Sequence, residues 1–332
     1  MSEQNILDEV PNFDESNAAK IALQLYGIEG AIRQLNSFED QNFLIKTASD
    51  KYVLKIANKR WTKDELTVQN LLFDHLQKAS KGLSWPQVIR SKNGDSMTLV
   101  DGFEVRLLTF IEGDILADSE RNEALNYSIG KVLGQFSKAV QNFEGSVPER
   151  PTDLWNLDNV MDCKAALEDV TDEATRSRIE SFYNHYEANV LPKIKGLRKA
   201  IIHGDANEQN ILVSKDDPEE IVGLIDFGDL QIATHINDLS ITLAYSLLDV
   251  EDIDGTANQI IGGYQSQFKI EKEEFEVLFD LVAMRLITSI ILSSKRAKQF
   301  PENTYILASQ KPAKALLKRM ETWEFKYDLK ND

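Results

Sequence analysis

The hydrophobic positions change their period twice along the first third of the chain, and each change marks a new element. Ala18, Ile21, Ala22 and Leu25 recur at helical spacing over about residues 17–26, with Asp14 or Ser16 available as a cap. From Ile32 to Ile56 the spacing falls to two. Residues 42–46 and 52–56 predict strands around the turn Ala48-Ser49-Asp50-Lys51, a hairpin that carries Lys55 near its end. Helical spacing returns through Leu66, Leu72, Phe73 and Leu76, and strands are expected near Val88-Ile89, 97–100 and 105–110.

From residue 119 the pattern is mainly helical, through Ile129, Val132, Leu133, Phe136 and Val140, then Ile179, Phe182, Tyr183 and Tyr186. Three short apolar runs interrupt it: Ile201-Ile202, Ile211-Leu212-Val213 and residues 221–225. Helices resume at Leu239 and include residues 275–292 and 313–323. No internal repeat or low-complexity tract is present. The segment Glu112-Gly113-Asp114 is the natural boundary, which predicts an α+β chain: an N-terminal lobe over 1–111, an antiparallel sheet with a helix, and a larger, mainly helical C-terminal lobe over 112–332.

A length of 332 residues allows a large buried core, and 42% hydrophobic content is ordinary for a globular protein. The net charge of −17 argues against nucleic acid and against an anionic membrane surface, since both are bound by Lys and Arg. The single Cys163 excludes an internal disulfide, residues 1–11 lack a signal-peptide pattern, and the most apolar stretch, 286–292, is too short to span a bilayer. Cytoplasmic residence is the expectation. Nothing in the composition specifies an oligomeric state.

Two of the short strands are followed by chemistry. His203-Gly204-Asp205-Ala206-Asn207-Glu208-Gln209-Asn210 comes after the first, and Asp226-Phe227-Gly228-Asp229 after the third. The spacing from His203 through Asp205 to Asn210 is that of the H-x-D-x-x-x-x-N loop, where the Asp takes a hydroxyl proton and the Asn holds a metal. Asp226 would supply the second ligand, a charged oxygen beside a neutral one, which suits a hard cation such as Mg²⁺ bridging phosphate oxygens. Asp205 is expected as an ionised carboxylate near its reference pKa, a weak base that works through alignment. His203 is expected to orient the loop by hydrogen bonding. Asp238 is expected as a cap or a brace for it.

The strand-borne Lys55 sits where a lysine would hold nucleotide phosphates, with Glu65 as its carboxylate partner, and with the adjacent Asp64, or Gln69 as an uncharged group on the same helical face as Glu65, as alternatives. The loop 37–42 takes the place of a phosphate-covering turn but has no glycine, so contact would come from the side chains of Ser37, Gln41 and Asn42. Only residues 227–237 separate Asp226 from Asp238, too few for a peptide-docking segment. The acceptor is therefore expected to be a small molecule. His75, His185 and His235 lack metal-ligand companions and read as surface or core histidines.

These residues resemble the aminoglycoside phosphotransferase and choline kinase superfamily, and within it the hydroxylysine kinase branch. The likeness rests on residues 203–213 and 223–229, the loop 37–43 and Val105-Arg106-Leu107-Leu108-Thr109-Phe110, and extends over about residues 17–325. It implies a two-lobed, protein-kinase-like fold, with nucleotide in a cleft and the backbone from Thr109 to Ile111 reading the purine edge. It also implies GTP as donor, with ATP the other candidate, and a cationic amino alcohol as acceptor, 5-hydroxy-L-lysine in that branch. Asp205 becomes the base by analogy too, with Asn210 and Asp226 on the metal. Trp155, in Trp155-Asn156-Leu157 ahead of a helix bearing Asp158 and Asp162, and Asp229 fall on the acceptor side. A homoserine, choline or aminoglycoside kinase would use the same triad, and a non-catalytic nucleotide-binding scaffold would usually lack one member of it.

Overall fold

The computed structural model describes residues 10–37, 40–300, 302, 307 and 310–325. The chain divides into two units, residues 1–112 with 143–146, and residues 113–142 with 147–332.

In the first unit, helix α1 (Glu15–Ile21) starts at Asp14, whose carboxylate accepts the Asn17 N–H, so Asp14 and not Ser16 is the cap. Wider turns at Ala22–Tyr26 carry the chain to Gly27, which turns it at φ 71. Strands β1 (Ala31–Leu35), β2 (Gln41–Lys46), β3 (Lys51–Ile56), β4 (Val88–Ile89), β5 (Thr98–Val100) and β6 (Phe103–Thr109) form one antiparallel sheet in the order β1-β2-β3-β6-β4, with β5 also on β6. Alternation sorts its faces. Phe43, Ile45, Leu54, Ile56, Val105 and Leu107 are fully buried with Ala18 and Ile21 of α1. The opposite face carries Lys55 and its register partner Arg106, and Arg106 is bonded to helix α2 (Lys63–Ala79) through Leu66 O, Gln69 Oε1 and Asn70 Oδ1.

The second unit is mainly helical. It begins with β7 (Asp114–Ile115) and α3 (Glu123–Ala139) and continues through tight three-residue turns over Leu157–Asp169 to α4 (Glu173–His185). Four short strands follow: β8 (Lys199–Ile202), β9 (Ile211–Val213), β10 (Ile221–Leu224) and β11 (Gln231–Thr234). Helices α5 (Asn237–Ser246), α6 (Ile253–Gln265), α7 (Leu278–Gln299) and α8 (Gln310–Met320) complete it. β10, β9 and β7 pair in one sheet, and β11 pairs with β8 in another. From Leu281 to Ile291 every residue of α7 is buried, as the apolar stretch 286–292 predicted. α3 and α6 cross at a backbone contact: a Cβ on Gly130 would collide with Ile260 O, and one on Gly263 with Tyr127 O. Only glycine fits there.

These two units give the α+β, protein-kinase-like fold expected. Three details differ from the periodicity reading. Residues 157–169 are tight three-residue turns and not an α-helix, and buried Leu157, Val160 and Cys163 recur at every third residue, the period of such turns. β11 carries a pattern too short to stand out and exists through its pairing with β8. The helix expected over 275–292 runs instead from Leu278 to Gln299. Among the described residues no helix is long and apolar enough to cross a membrane.

Candidate active site

The loop after β8 is held by a carboxylate from the helix that follows β11. Asp238, in the first turn of α5, accepts the His203 N–H on Oδ2 and the Gly204 N–H on Oδ1, both at 3.0 Å. It is a brace and not the N-cap, which is Ile236. Burial pushes its carboxyl above the usual range, opposed by His203 and by those two amide bonds. Gly204 turns at φ +83, and a Cβ there would run into Asp229 O. That close approach brings the 203–210 loop against the 226–229 segment.

His203 is fully buried, with Nε2 3.1 Å from Ile225 O and Nδ1 accepting the Asp205 N–H at 3.3 Å. Those partners fix one neutral tautomer, Nε2–H donating, and burial holds the imidazole below its ordinary pKa despite Asp238 and Asp226. The ring therefore links the Asp205 backbone to that of Ile225. Thr242 Oγ1 donates to Ala206 O, and Ala117 N–H donates to Glu208 O, anchoring the remainder.

β9 and β10 bring the metal candidates together. Leu224 pairs with Ile211, and the Ile225 N–H donates to Asn210 O at 2.9 Å, so Asn210 and Asp226 leave adjacent ends of one ladder. Asp226 is exposed and adopts a left-handed backbone, φ 60 and ψ 77, a sparsely populated region for a non-glycine residue that clusters at functional sites. Asn210 Nδ2 donates to Asp205 O at 2.9 Å and to Asp205 Oδ2 at 3.0 Å. With the amide nitrogen so placed, Oδ1 is left as the oxygen to offer a cation. Among the described residues no group of three or more His, Cys, Asp or Glu could hold a metal alone. A cation here would take one or two protein oxygens and complete its shell from phosphate and water, the habit of magnesium.

Asp205 departs from the weak base expected. Its side chain is 24% exposed, and burial pushes its carboxyl up to about 7, with Arg285 opposing and Asp229 and Asp226 adding to the rise. Asp229 is pushed up to about 6, by burial first and then by Asp226 and Asp153, with Arg285 and Arg150 opposing. Burial, reinforced by a cluster of like charges, explains both, and a spacing rule sees none of it. Arg285 and Arg150 were not found from the sequence. Arg285 Nη2 donates to Asp205 Oδ1 at 3.0 Å, and Arg150 donates to Gly228 O at 2.9 Å and Leu230 O at 3.3 Å. The one available signal for Arg285 was a charge set inside the apolar run of α7.

Trp155 is 39% exposed, and its ring already has the Arg285 guanidinium 4.9 Å from its centroid. Asp158 is not a candidate for the acceptor: its carboxylate accepts from Thr234 N and Asn237 Nδ2 and meets Lys199 at 3.5 Å. His185 lies 3.1 Å from Asp280, and His235 is a buried partner of Glu274.

In the first unit, Lys55 lies on the α2-facing side of the sheet. Glu65 Oε2 accepts from the Thr62 N–H and hydroxyl, closing a capping box at the start of α2. Gln69 is committed to Arg106. Both ends of the Gln41 amide are spent on the Phe13 backbone, at 2.7 and 3.0 Å, so its side chain tethers the segment before α1. Asn42 Nδ2 donates to Ser37 Oγ at 3.1 Å. Phe38 and Glu39 of that loop lie outside the described residues. The Thr109 N–H donates to Gln87 O and the Phe110 N–H to Lys51 O, while Ile111 is buried.

Known proteins share this fold. Hydroxylysine kinase of Xenopus laevis is 29% identical over 330 residues, spanning 91% of this chain and 88% of that protein. Among solved structures, the amicoumacin kinase hAmiN in complex with AMP-PNP, Ca²⁺ and Ami superposes with a TM-score of 0.73 at 16% identity, covering 98% of both chains. The microcompartment-associated aminopropanol kinase gives 0.69 at 15% identity, over 93% of this chain and 98% of that one. Residues 31–274 match the model of the phosphotransferase enzyme family, so the chain belongs to that family and is an enzyme that transfers phosphate to a hydroxyl.

Proposed function

We propose that the chain transfers the γ-phosphoryl group of GTP or ATP to the hydroxyl of a small amino alcohol or hydroxy amino acid, with 5-hydroxy-L-lysine as the acceptor. The observation that carries this is the convergence of Asp205, Asn210 and Asp226 within one hydrogen-bonded loop and hairpin. Likeness over nearly the whole length of a hydroxylysine kinase supports the acceptor. The second unit then supplies acceptor site and catalysis, the first supplies nucleotide contacts.

Asp205 aligns the acceptor hydroxyl and receives its proton, and a carboxyl pushed up to about 7 is a better proton acceptor than an ordinary aspartate. Asn210 and Asp226 hold Mg²⁺, which when bound spreads positive charge over the phosphate oxygens. Lys55, kept in place by Glu65, takes the α and β phosphates, Ser37 and Asn42 cover them, and the backbone from Thr109 to Ile111 reads the base. Asp229, beside the catalytic loop, meets the cationic end of the acceptor, and Trp155 walls it.

The test is nucleotide turnover by the purified protein with Mg²⁺, offering ATP and GTP separately against 5-hydroxylysine, homoserine, choline, ethanolamine and an aminoglycoside. Turnover that depends on hydroxylysine alone supports the acceptor; dependence on another replaces it and leaves the site roles standing. Asp226→Ala is expected to weaken Mg²⁺-nucleotide binding by at least about tenfold while metal-free nucleotide binding is unchanged. Asp226 is exposed, so its removal leaves no buried hole. Equal Mg²⁺ dependence in both proteins, read by calorimetry, removes it from the metal site.

A further inference from the structure

Arg285 stands in the middle of α7 with a side chain only 3% exposed, flanked along the helix by buried Met284, Leu286 and Ile287. Taking a guanidinium out of water is costly, and a buried ion pair gives little net stability in return compared with apolar packing. The partners of this one explain the position. Nη2 donates to Asp205 Oδ1 and Nη1 to Trp155 O, each at 3.0 Å, and the guanidinium lies 4.9 Å from the Trp155 ring centroid and 5.4 Å from that of Tyr245. Its Nε is buried without a hydrogen-bond partner among the described residues. Two directed bonds and two aromatic faces fix the plane of the guanidinium, and that plane fixes one carboxylate oxygen.

We infer that Arg285 is a positioning residue for Asp205, locking the carboxylate from the side opposite Asn210; the inference rests on the reading of Asp205 as the base. Asp205 Oδ1 is held by Arg285 and Oδ2 by Asn210 Nδ2, so the carboxylate cannot turn about its last torsion without losing a charged or an amide bond. Each oxygen keeps a second lone pair, and one of them is directed to the acceptor hydroxyl. The same guanidinium ties the backbone of Trp155 to the base, so the segment walling the acceptor and the group that receives its proton share one anchor. A lysine cannot replace it, because an ammonium lacks the planar fork that reaches two acceptors at once.

The test compares Arg285→Ala, Arg285→Lys and Asp205→Ala, with 5-hydroxy-L-lysine or the fastest acceptor of the panel above. Arg285→Ala is expected to lower kcat on the order of 10²-fold, the usual effect of an ångström of misalignment, with nucleotide affinity nearly unchanged. Millimolar methylguanidine should restore part of that loss, which a defect in folding would not allow. Arg285→Lys keeps a buried cation and guards against an unfolded alanine variant; it should fold and still lose most of kcat. Wild-type kcat in Arg285→Lys, or an alanine variant that is folded and fully active, overturns the inference while an inactive Asp205→Ala leaves the base reading intact. An active Asp205→Ala instead overturns the base reading, and the role of Arg285 with it.

Discussion

Asp205→Ala should cut turnover by about 10²- to 10⁴-fold, the usual contribution of a positioned general base, while leaving nucleotide binding largely intact. The separation follows from where the groups sit. Asp205 bonds to Arg285 and Asn210, whereas the proposed direct nucleotide contacts Lys55, Asn42 and Thr109 belong to the first unit, and the alanine variant keeps the proposed metal oxygens of Asn210 and Asp226. Losing the carboxylate also leaves the Arg285 guanidinium buried without its counter-charge, so the alanine variant should melt earlier than wild type. Asp205→Asn separates the two effects: its amide oxygen can still accept from Arg285, yet it cannot take a proton. Comparable loss of turnover in both variants, with nucleotide affinity kept, is the expected pattern. Nucleotide affinity falling in step with kcat would sink the assignment.

Much of this site was legible because its parts are local. Asp205, Asn210 and Asp226 lie within a few residues of short strands, and the strands β9 and β10 pair in the register that brings the last two together. The role of Asp238 was legible for the same reason, as a carboxylate opening a helix soon after the second motif. The missing parts are all long-range. Arg285 reaches Asp205 across 80 positions of sequence, and Arg150 reaches Gly228 across 78. Arg106 reads from its strand as one more alternating residue, yet it is buried and bonded to α2. Periodicity reports which face a side chain takes, and not what waits there. The raised carboxyl of Asp205 was missed likewise, since burial and the nearness of Asp229 and Asp226 exist only in the folded chain.

The second large effect is on stability, at Glu274. This carboxylate is fully buried and accepts four hydrogen bonds: Arg198 Nε at 2.7 Å and His235 Nδ1 at 3.1 Å on Oε1, Arg198 Nη2 at 2.8 Å and the Glu271 N–H at 2.9 Å on Oε2. His235 Nε2 continues at 3.0 Å to Tyr264 OH, which meets Ser137 Oγ at 2.9 Å. Arg198 lies just before β8 and His235 just after β11, so the network clasps the strand pair from which the catalytic loop departs. Glu274→Ala should cost about 3–5 kcal/mol, the usual result of removing one partner of a buried pair. The side chain of Arg198 is 30% exposed, so water recovers part of the loss and the lower figure is favoured. Burial alone would raise the Glu274 carboxyl, but the bonds from His235, Arg198 and Glu271 outweigh it and hold it below its ordinary range. Below its unfolded pKa of about 4.3 the unfolded chain takes up the proton more readily than the folded one, so the stabilisation is present above that pH and fades as pH falls through the folded pKa. Chemical unfolding of wild type and Glu274→Gln should therefore differ most near neutrality and converge in acid. A gap that stays constant on acidification would show that the charge of Glu274 contributes nothing, and that packing alone holds the clasp.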